Sequence, residues 1–219
     1  DLVRTARIVA LWDLARRRPL IELSNASGNH LAVSGNLLAF GMRQAGGAHS
    51  VELWNMDNQR LLRSFLHQSA VNAIALSRDG SFLATFEENG TIRITDATSQ
   101  RLLRQLTAPT PRRGEAGAMI FLPDDSRLAI GEDFGKLHIL NWRTGADLPI
   151  PTHTTDGVTA LAFSPPTGLL AAGFAYSSGF IGLWDARSGE PRGSLTNHVG
   201  WIRDLRSEEH TSELQSLAY

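Results

Sequence analysis

Apolar residues alternate with other types through "IGLWDARSG" (181–189), and the alternation ends in a cluster of small polar residues. The same arrangement recurs as "VALWDLARR" (9–17), "VELWNMDNQ" (51–59), "IRITDATSQ" (92–100) and "LHILNWRTG" (137–145). Each copy reads apolar, any, apolar, bulky, then Asp or Asn. The bulky positions are Trp12, Trp54, Thr95, Leu140 and Trp184, spaced 42, 41, 45 and 44 residues apart; the polar followers are Asp13, Asn55, Asp96, Asn141 and Asp185. Period-two alternation marks a strand, and the polar cluster after it marks a tight turn.

Each repeat holds more than this strand. Upstream lie "NLLAFGM", "SFLATFE", "SRLAIGE" and "GLLAAGF", three of them preceded by "VNAIALSRDG", "AMIFLPDD" and "VTALAFSPPTG"; downstream lie "PLIELS", "RLLRSFL", "RLLRQL" and "EPRGSL". Four short strands per unit predict a small antiparallel meander. So short a unit cannot bury both of its faces alone, so neighbouring sheets must stack, about 10 Å apart.

On these residues the sequence resembles the WD-repeat β-propellers: "GFIGLWDARSG", "ENGTIRITD", "LAFSPPTGLLAAG" and "TNHVGWIRDL" carry the likeness, which covers residues 1–205. The resemblance implies an all-β fold, a partial β-propeller of four-stranded antiparallel blades around a channel. It places a half blade at 1–28, blades at about 29–67, 68–107, 108–153 and 154–198, and a stub at 199–205. The family often ties each blade with a His, a Ser or Thr, an Asp and the Trp. His67, Thr85 and Asn89 stand near three of those positions, but Thr95 replaces the Trp; in the next Trp-bearing blade Thr154 takes the His position, with His153 beside it. The set is incomplete, so apolar packing is expected to hold the blades.

The pattern also has edges. Aligning "WIRDLRS" with "VNAIALS" puts Ser207 where a large apolar residue belongs, so the register is expected to fail after Leu205. Residues 206–216, "RSEEHTSELQS", resemble a translated sequencing adapter, and 206–219 are expected to be a non-native tail; Glu208, Glu209 and His210 are not read as a site. The first strand, "IVALWDL", is a third strand without its predecessors, which makes the chain an expected piece of a longer one.

Composition changes this picture little. At 219 residues, 42% hydrophobic and 20% charged, the chain can bury a core. No apolar run reaches the length a bilayer requires, so no membrane partner is expected. A net charge of −1 offers no footprint for nucleic acid. There is no cysteine, which fits a reducing compartment and a cytoplasmic location.

Because consecutive strands reverse, the first-to-second and third-to-fourth turns share one face of the blades. Eleven residues beyond each bulky position lie Leu23, Phe65, Leu106, Pro151 and Leu195, without a gap, so length is constant on that face. The opposite face varies, through "RQAGGAH" (43–49), "TAPTPRRGEAG" (107–117) and "AYSSG" (175–179). Rigid scaffolds carry function on such loops. The candidate partner-binding residues are therefore Arg43, His49, Arg112, Arg113, Glu115 and Tyr176, with the alternative that they are simply solvated.

Catalytic chemistry is not legible. No Ser has the flanking glycines of a nucleophile elbow, and "GEDFGKL" (131–137) is too short for a phosphate loop and leads into a strand, so it reads as a hairpin. His153 and Asp156 lack further ligands in sequence. Trp12, Trp54 and Trp184 are expected between blades, and Trp142, displaced by two positions, is expected to be partly exposed. No catalytic residue, metal or cofactor is assigned. The resemblance implies a non-catalytic protein-interaction scaffold binding a protein or peptide, a fragment of a larger protein whose style is similar to bacterial signalling members. The alternative is the propeller portion of an enzyme whose catalytic residues lie on other blades.

Overall fold

Alternating side chains place two apolar faces on each meander, and the structure, a computed structural model, stacks those faces. It describes residues 8–13, 17–24, 26–43, 47–108, 117–175, 179–196, 198, 200–207 and 214–218. Among these, four four-stranded antiparallel sheets are each formed by consecutive strands. The first is β3 (Ala26–Ser34), β4 (Leu37–Arg43), β5 (His49–Asn55) and β6 (Arg60–His67); the second is β7 (Val71–Leu76), β8 (Phe82–Glu87), β9 (Thr91–Asp96) and β10 (Leu102–Thr107). The third is β11 (Ala118–Phe121), β12 (Arg127–Gly131), β13 (Leu137–Asn141) and β14 (Asp147–Ile150); the fourth is β15 (Val158–Ser164), β16 (Leu169–Phe174), β17 (Ile181–Asp185) and β18 (Pro191–Leu195). Two-stranded sheets, β1 (Ile8–Asp13) with β2 (Arg18–Ser24) and β19 (Ile202–Ser207) with β20 (Leu214–Ala218), complete the described strands. β19 continues two residues past Leu205, pairing Arg206 with Gln215 and Ser207 with Leu214. The expected failure of register there concerned side chains, and backbone pairing does not need an apolar residue at 207.

The core sits in the seams between sheets. In the second sheet Val71, Ile74, Leu83 and Ala97 face the first sheet's Ala39, Val51, Leu53 and Phe65. Their sequence neighbours Ala73 and Ala84, together with Ile92 and Ile94, face the third sheet's Met119, Leu128, Ile130 and Leu140. Adjacent residues thus serve opposite seams, which is the period of two seen along the chain. Burying a side chain such as Leu128 or Leu170 fully contributes about 1.5–3 kcal/mol. Two glycines let the innermost strand of the next sheet approach: a Cβ on Gly131 would lie 2.3 Å from Val158 Cγ1, and one on Gly173 2.4 Å from Ile202 Cγ2.

In the four four-stranded sheets the polar follower of the repeat builds the third-to-fourth turn. Asn55 Oδ1 accepts from the amides of Asp57 and Asn58, Asp96 Oδ1 from Thr98 and Ser99, Asn141 Oδ1 from Arg143 and Thr144, and Asp185 Oδ1 from Arg187 and Ser188. At Asp185, a hydrogen bond from Arg192 adds to these amides and pulls the carboxyl down to about 2. Four residues after each follower the backbone turns left-handed, at Arg17, Gln59, Gln100, Gly145 and Gly189. Glycine takes this conformation freely, whereas other residues are strained there by about 1–2 kcal/mol. Gln59→Gly should therefore stabilise the chain by about 0.5–1 kcal/mol and Gly145→Ala should destabilise it by a similar amount; a urea midpoint that moves the same way for both would contradict this account.

Candidate functional site

The strand order puts the β4–β5, β8–β9, β12–β13 and β16–β17 connections on one face, with the links from each fourth strand to the next first strand. The links described throughout on this face range from three residues (68–70) to seven (151–157), against two to five for the turns on the opposite face. Arg43 ends β4, exposed, and is the cross-strand partner of His49 at the start of β5. His49 is not a loop residue: it is half-buried and also pairs with His67 of β6. Arg112, Arg113, Glu115 and Tyr176 lie outside the described residues. His153 is exposed on the β14–β15 link, and "GEDFGKL" joins β12 to β13 as a hairpin. Among the described residues no group of three or more His, Cys, Asp or Glu could hold a metal ion.

Beneath this face lies a polar cluster that the repeat alignment did not reveal. Glu87, at the buried end of β8 with 0% of its side chain exposed, forms an ion pair at 2.7 Å with Arg93 Nε. Its other contacts are His67 Nδ1 at 3.2 Å and a 3.3 Å hydrogen bond accepted from Ser69 Oγ. His67 is 3% exposed in its side chain, and its Nε2 has no hydrogen-bond partner among the described residues. Burial holds its pKa below the ordinary value of 6.5, Arg93 and His49 act in the same direction, and Glu87 opposes them. His67 is thus bound to Glu87, and the incomplete set of His67, Thr85 and Asn89 does not act together. Thr85 Oγ1 is buried without a partner among the described residues, and Asn89 Oδ1 accepts from the Thr91 amide within its turn. A glutamate at the end of this strand, where the first and fourth blades have Met42 and Phe174 and the third has Glu132, was the signal available in sequence.

The residue two before the bulky position explains how each sheet fills its seam. In the fourth sheet it is Gly182, where a Cβ would sit 2.0 Å from Trp184 Cη2; the indole lies over the glycine, 4% exposed, and its Nε1 donates to the Pro151 carbonyl at 3.1 Å. In the first sheet it is Glu52, which accepts from Trp54 Nε1 at 2.9 Å while the ring stays half-buried. Where the Trp is missing, the second sheet has Arg93 there, bound to Glu87, and the third has His138, 3.2 Å from Asp147. Apolar packing alone therefore does not hold every sheet.

The third sheet also recovers an aromatic ring from another position. Trp142, expected to be partly exposed, is 4% exposed. Its Nε1 donates to the Asp125 carbonyl at 2.9 Å, its edge meets Phe82 at 5.5 Å, and Arg143 lies 4.3 Å over its ring. Trp142 aligns with Ala97 and Ala186, both buried, so its displacement keeps the side chain on the seam face. Trp12, by contrast, is 53% exposed and not buried as expected.

On the loop-rich surface itself, the β12–β13 link contains a 3-10 turn, Asp133–Gly135, in which Phe134 is left-handed (φ 59°, ψ 32°) and 60% exposed. The β14–β15 link clamps this turn: Thr152 Oγ1 donates to the Gly135 carbonyl at 2.5 Å, and the Val158 amide to the Glu132 carbonyl at 3.0 Å.

Four-stranded antiparallel sheets that stack through their faces, with their first strands lying side by side, are the blades of a partial β-propeller. Two of its repeats, residues 59–96 and 148–185, match the WD domain, G-beta repeat model. The chain is 34% identical over 168 residues to SVP1-like protein 2 of Neurospora crassa, covering 73% of this chain and 37% of that protein. It is 25% identical over 183 residues to Autophagy-related protein 16 of Arabidopsis thaliana, covering 81% and 35%. Among solved structures, a chain of the mitotic checkpoint complex superposes with a TM-score of 0.72 at 25% identity, over 86% of this chain and 56% of that one. The Cps50 (Swd1) β-propeller domain of Myceliophteria thermophila superposes with a TM-score of 0.69 at 18% identity, over 90% and 65%. The chain spans little more than a third of those two relatives' lengths. These fungal and plant relatives lend no support to the bacterial resemblance, and none of the comparisons supports the adapter resemblance of residues 206–216.

Proposed function

We propose that the chain is a non-catalytic scaffold that recognises a protein or peptide segment through its loop-rich face, as part of a larger signalling protein of the cytoplasm. The supporting observation is the asymmetry between faces. One face is occupied by short turns of two to five residues with side-chain oxygens bound to their own amides, and the other carries described links of three to seven residues on rigid strand ends. That a structural neighbour belongs to a protein complex agrees with such a role.

The sequence contains a single lysine, Lys136, on the β12–β13 link of that face. An amine-reactive cross-linker should join the native chain to its partner through Lys136. The variant Lys136→Arg with Arg101→Lys, which moves the amine to the opposite face, should lose the product. Equal cross-linking from position 101 would overturn the choice of face.

A further inference from the structure

We infer that Phe134 is the anchor of a recognition spot for a peptide segment that presents an apolar side chain next to Lys or Arg. This rests on the proposed loop-rich face and names the residue and the partner chemistry. Two unfavourable features meet at Phe134. A bulky side chain in the left-handed region is strained, and an aromatic ring 60% exposed forgoes burial. The repeat does not require either. In the preceding blade the equivalent link reads Glu87-Glu88-Asn89-Gly90, and only Gly90 of that link has positive φ. Strain held by surrounding structure marks sites where it serves recognition.

The link after the fourth strand clamps this turn, as it also does in the fourth blade, where a Cβ on Gly179 would lie 1.8 Å from the His198 carbonyl oxygen. A Cβ on Gly135 would lie 1.9 Å from the Thr154 carbonyl oxygen, so the β14–β15 link presses against the turn and holds the phenyl ring outward. The ring is thus preorganised, and little entropy remains to be lost when a partner covers it. Aromatic side chains, Phe among them, are enriched in the cores of interfaces.

Charge selects the partner. Asp133 precedes the ring, and its Oδ1 lies 3.0 Å from where a Gly157 Cβ would stand, which brings it beside Asp156. With Glu132 below and Lys136 as the nearby cation, the formal charges of these four residues leave an acidic excess. An apolar residue flanked by Lys or Arg complements this surface, whereas an acidic segment is repelled.

The test is selection of a random dodecapeptide display library on the full chain. Binding of enriched peptides is then measured against Phe134→Gly, Phe134→Ala and the pair Asp133→Asn with Asp156→Asn. Enriched peptides should place Leu, Ile, Met or Phe beside a basic residue. Both Phe134 variants should weaken binding at least tenfold, and the Asn pair should weaken it severalfold and flatten its salt dependence. Phe134→Gly relieves the backbone strain, so its melting temperature should not fall, which separates lost recognition from lost folding. Peptides that bind equally well to Phe134→Gly while cross-linking through Lys136 would overturn the anchor and leave the face standing. Enrichment of acidic peptides would overturn the charge argument, and a library yielding no binder would overturn both this inference and the proposed face.

Discussion

Glu87→Ala should destabilise the chain by about 3–5 kcal/mol, as measured by urea unfolding, because it leaves a largely buried guanidinium and a buried imidazole without their shared acceptor. The loss far exceeds that of a surface ion pair, about 0–1 kcal/mol. Replacing the set as a whole, Glu87→Leu with Arg93→Met and His67→Phe, should recover much of the stability, since apolar substitutes of similar volume do not need the pairing. A single Glu87→Ala change costing under about 1 kcal/mol would show that the cluster is solvated.

The same cluster sets a pH dependence. With His67 held below its ordinary 6.5, the unfolded chain takes up a proton before the folded one. The stability linked to the neutral ring is therefore complete above 6.5 and is lost as pH falls through 6.5 toward the folded value. Unfolding midpoints compared at mildly alkaline and mildly acidic pH should diverge in the parent chain and converge in His67→Phe. An unchanged slope in that variant would assign the dependence to other groups.

Trp142→Ala is the second large effect, expected at about 3–5 kcal/mol, the usual cost of truncating a fully buried aromatic. The ring is enclosed in the seam between the second and third blades, and its N–H is committed to the Asp125 carbonyl. Trp12→Ala, from a ring more than half exposed, should cost under about 1 kcal/mol. The repeat alignment alone ranks these two in the opposite order, so the pair of measurements decides between alignment and structure.

Much of the architecture was legible in the sequence because it is encoded locally. Alternation along "VELWN" or "IGLWD" sets which side chains share a face, and the Asp or Asn that follows carries its own amide acceptor, so strand and turn are specified within nine residues. The antiparallel order and the loop-rich face follow from that meander, and Arg43 and His49 could be placed at the margin of a link. Their environments could not. His49 lies among His67 and the Glu87 cluster because residues eighteen and more positions away fold against it.

The sequence by itself therefore determined the blades, their period and the turns between strands, since each depends on neighbours a few positions apart. Only the tertiary structure decided how each blade fills the seam with the one before it. Trp184 lies over Gly182, Trp142 supplies the third sheet with the ring that Leu140 lacks, and in the second sheet, where Thr95 stands at the Trp position, Arg93 pairs with Glu87. It alone decided, too, that Phe134 stands strained and exposed, because the link that clamps it is a separate segment of the chain. Local pattern sets which way a side chain faces, and the fold sets what it meets there.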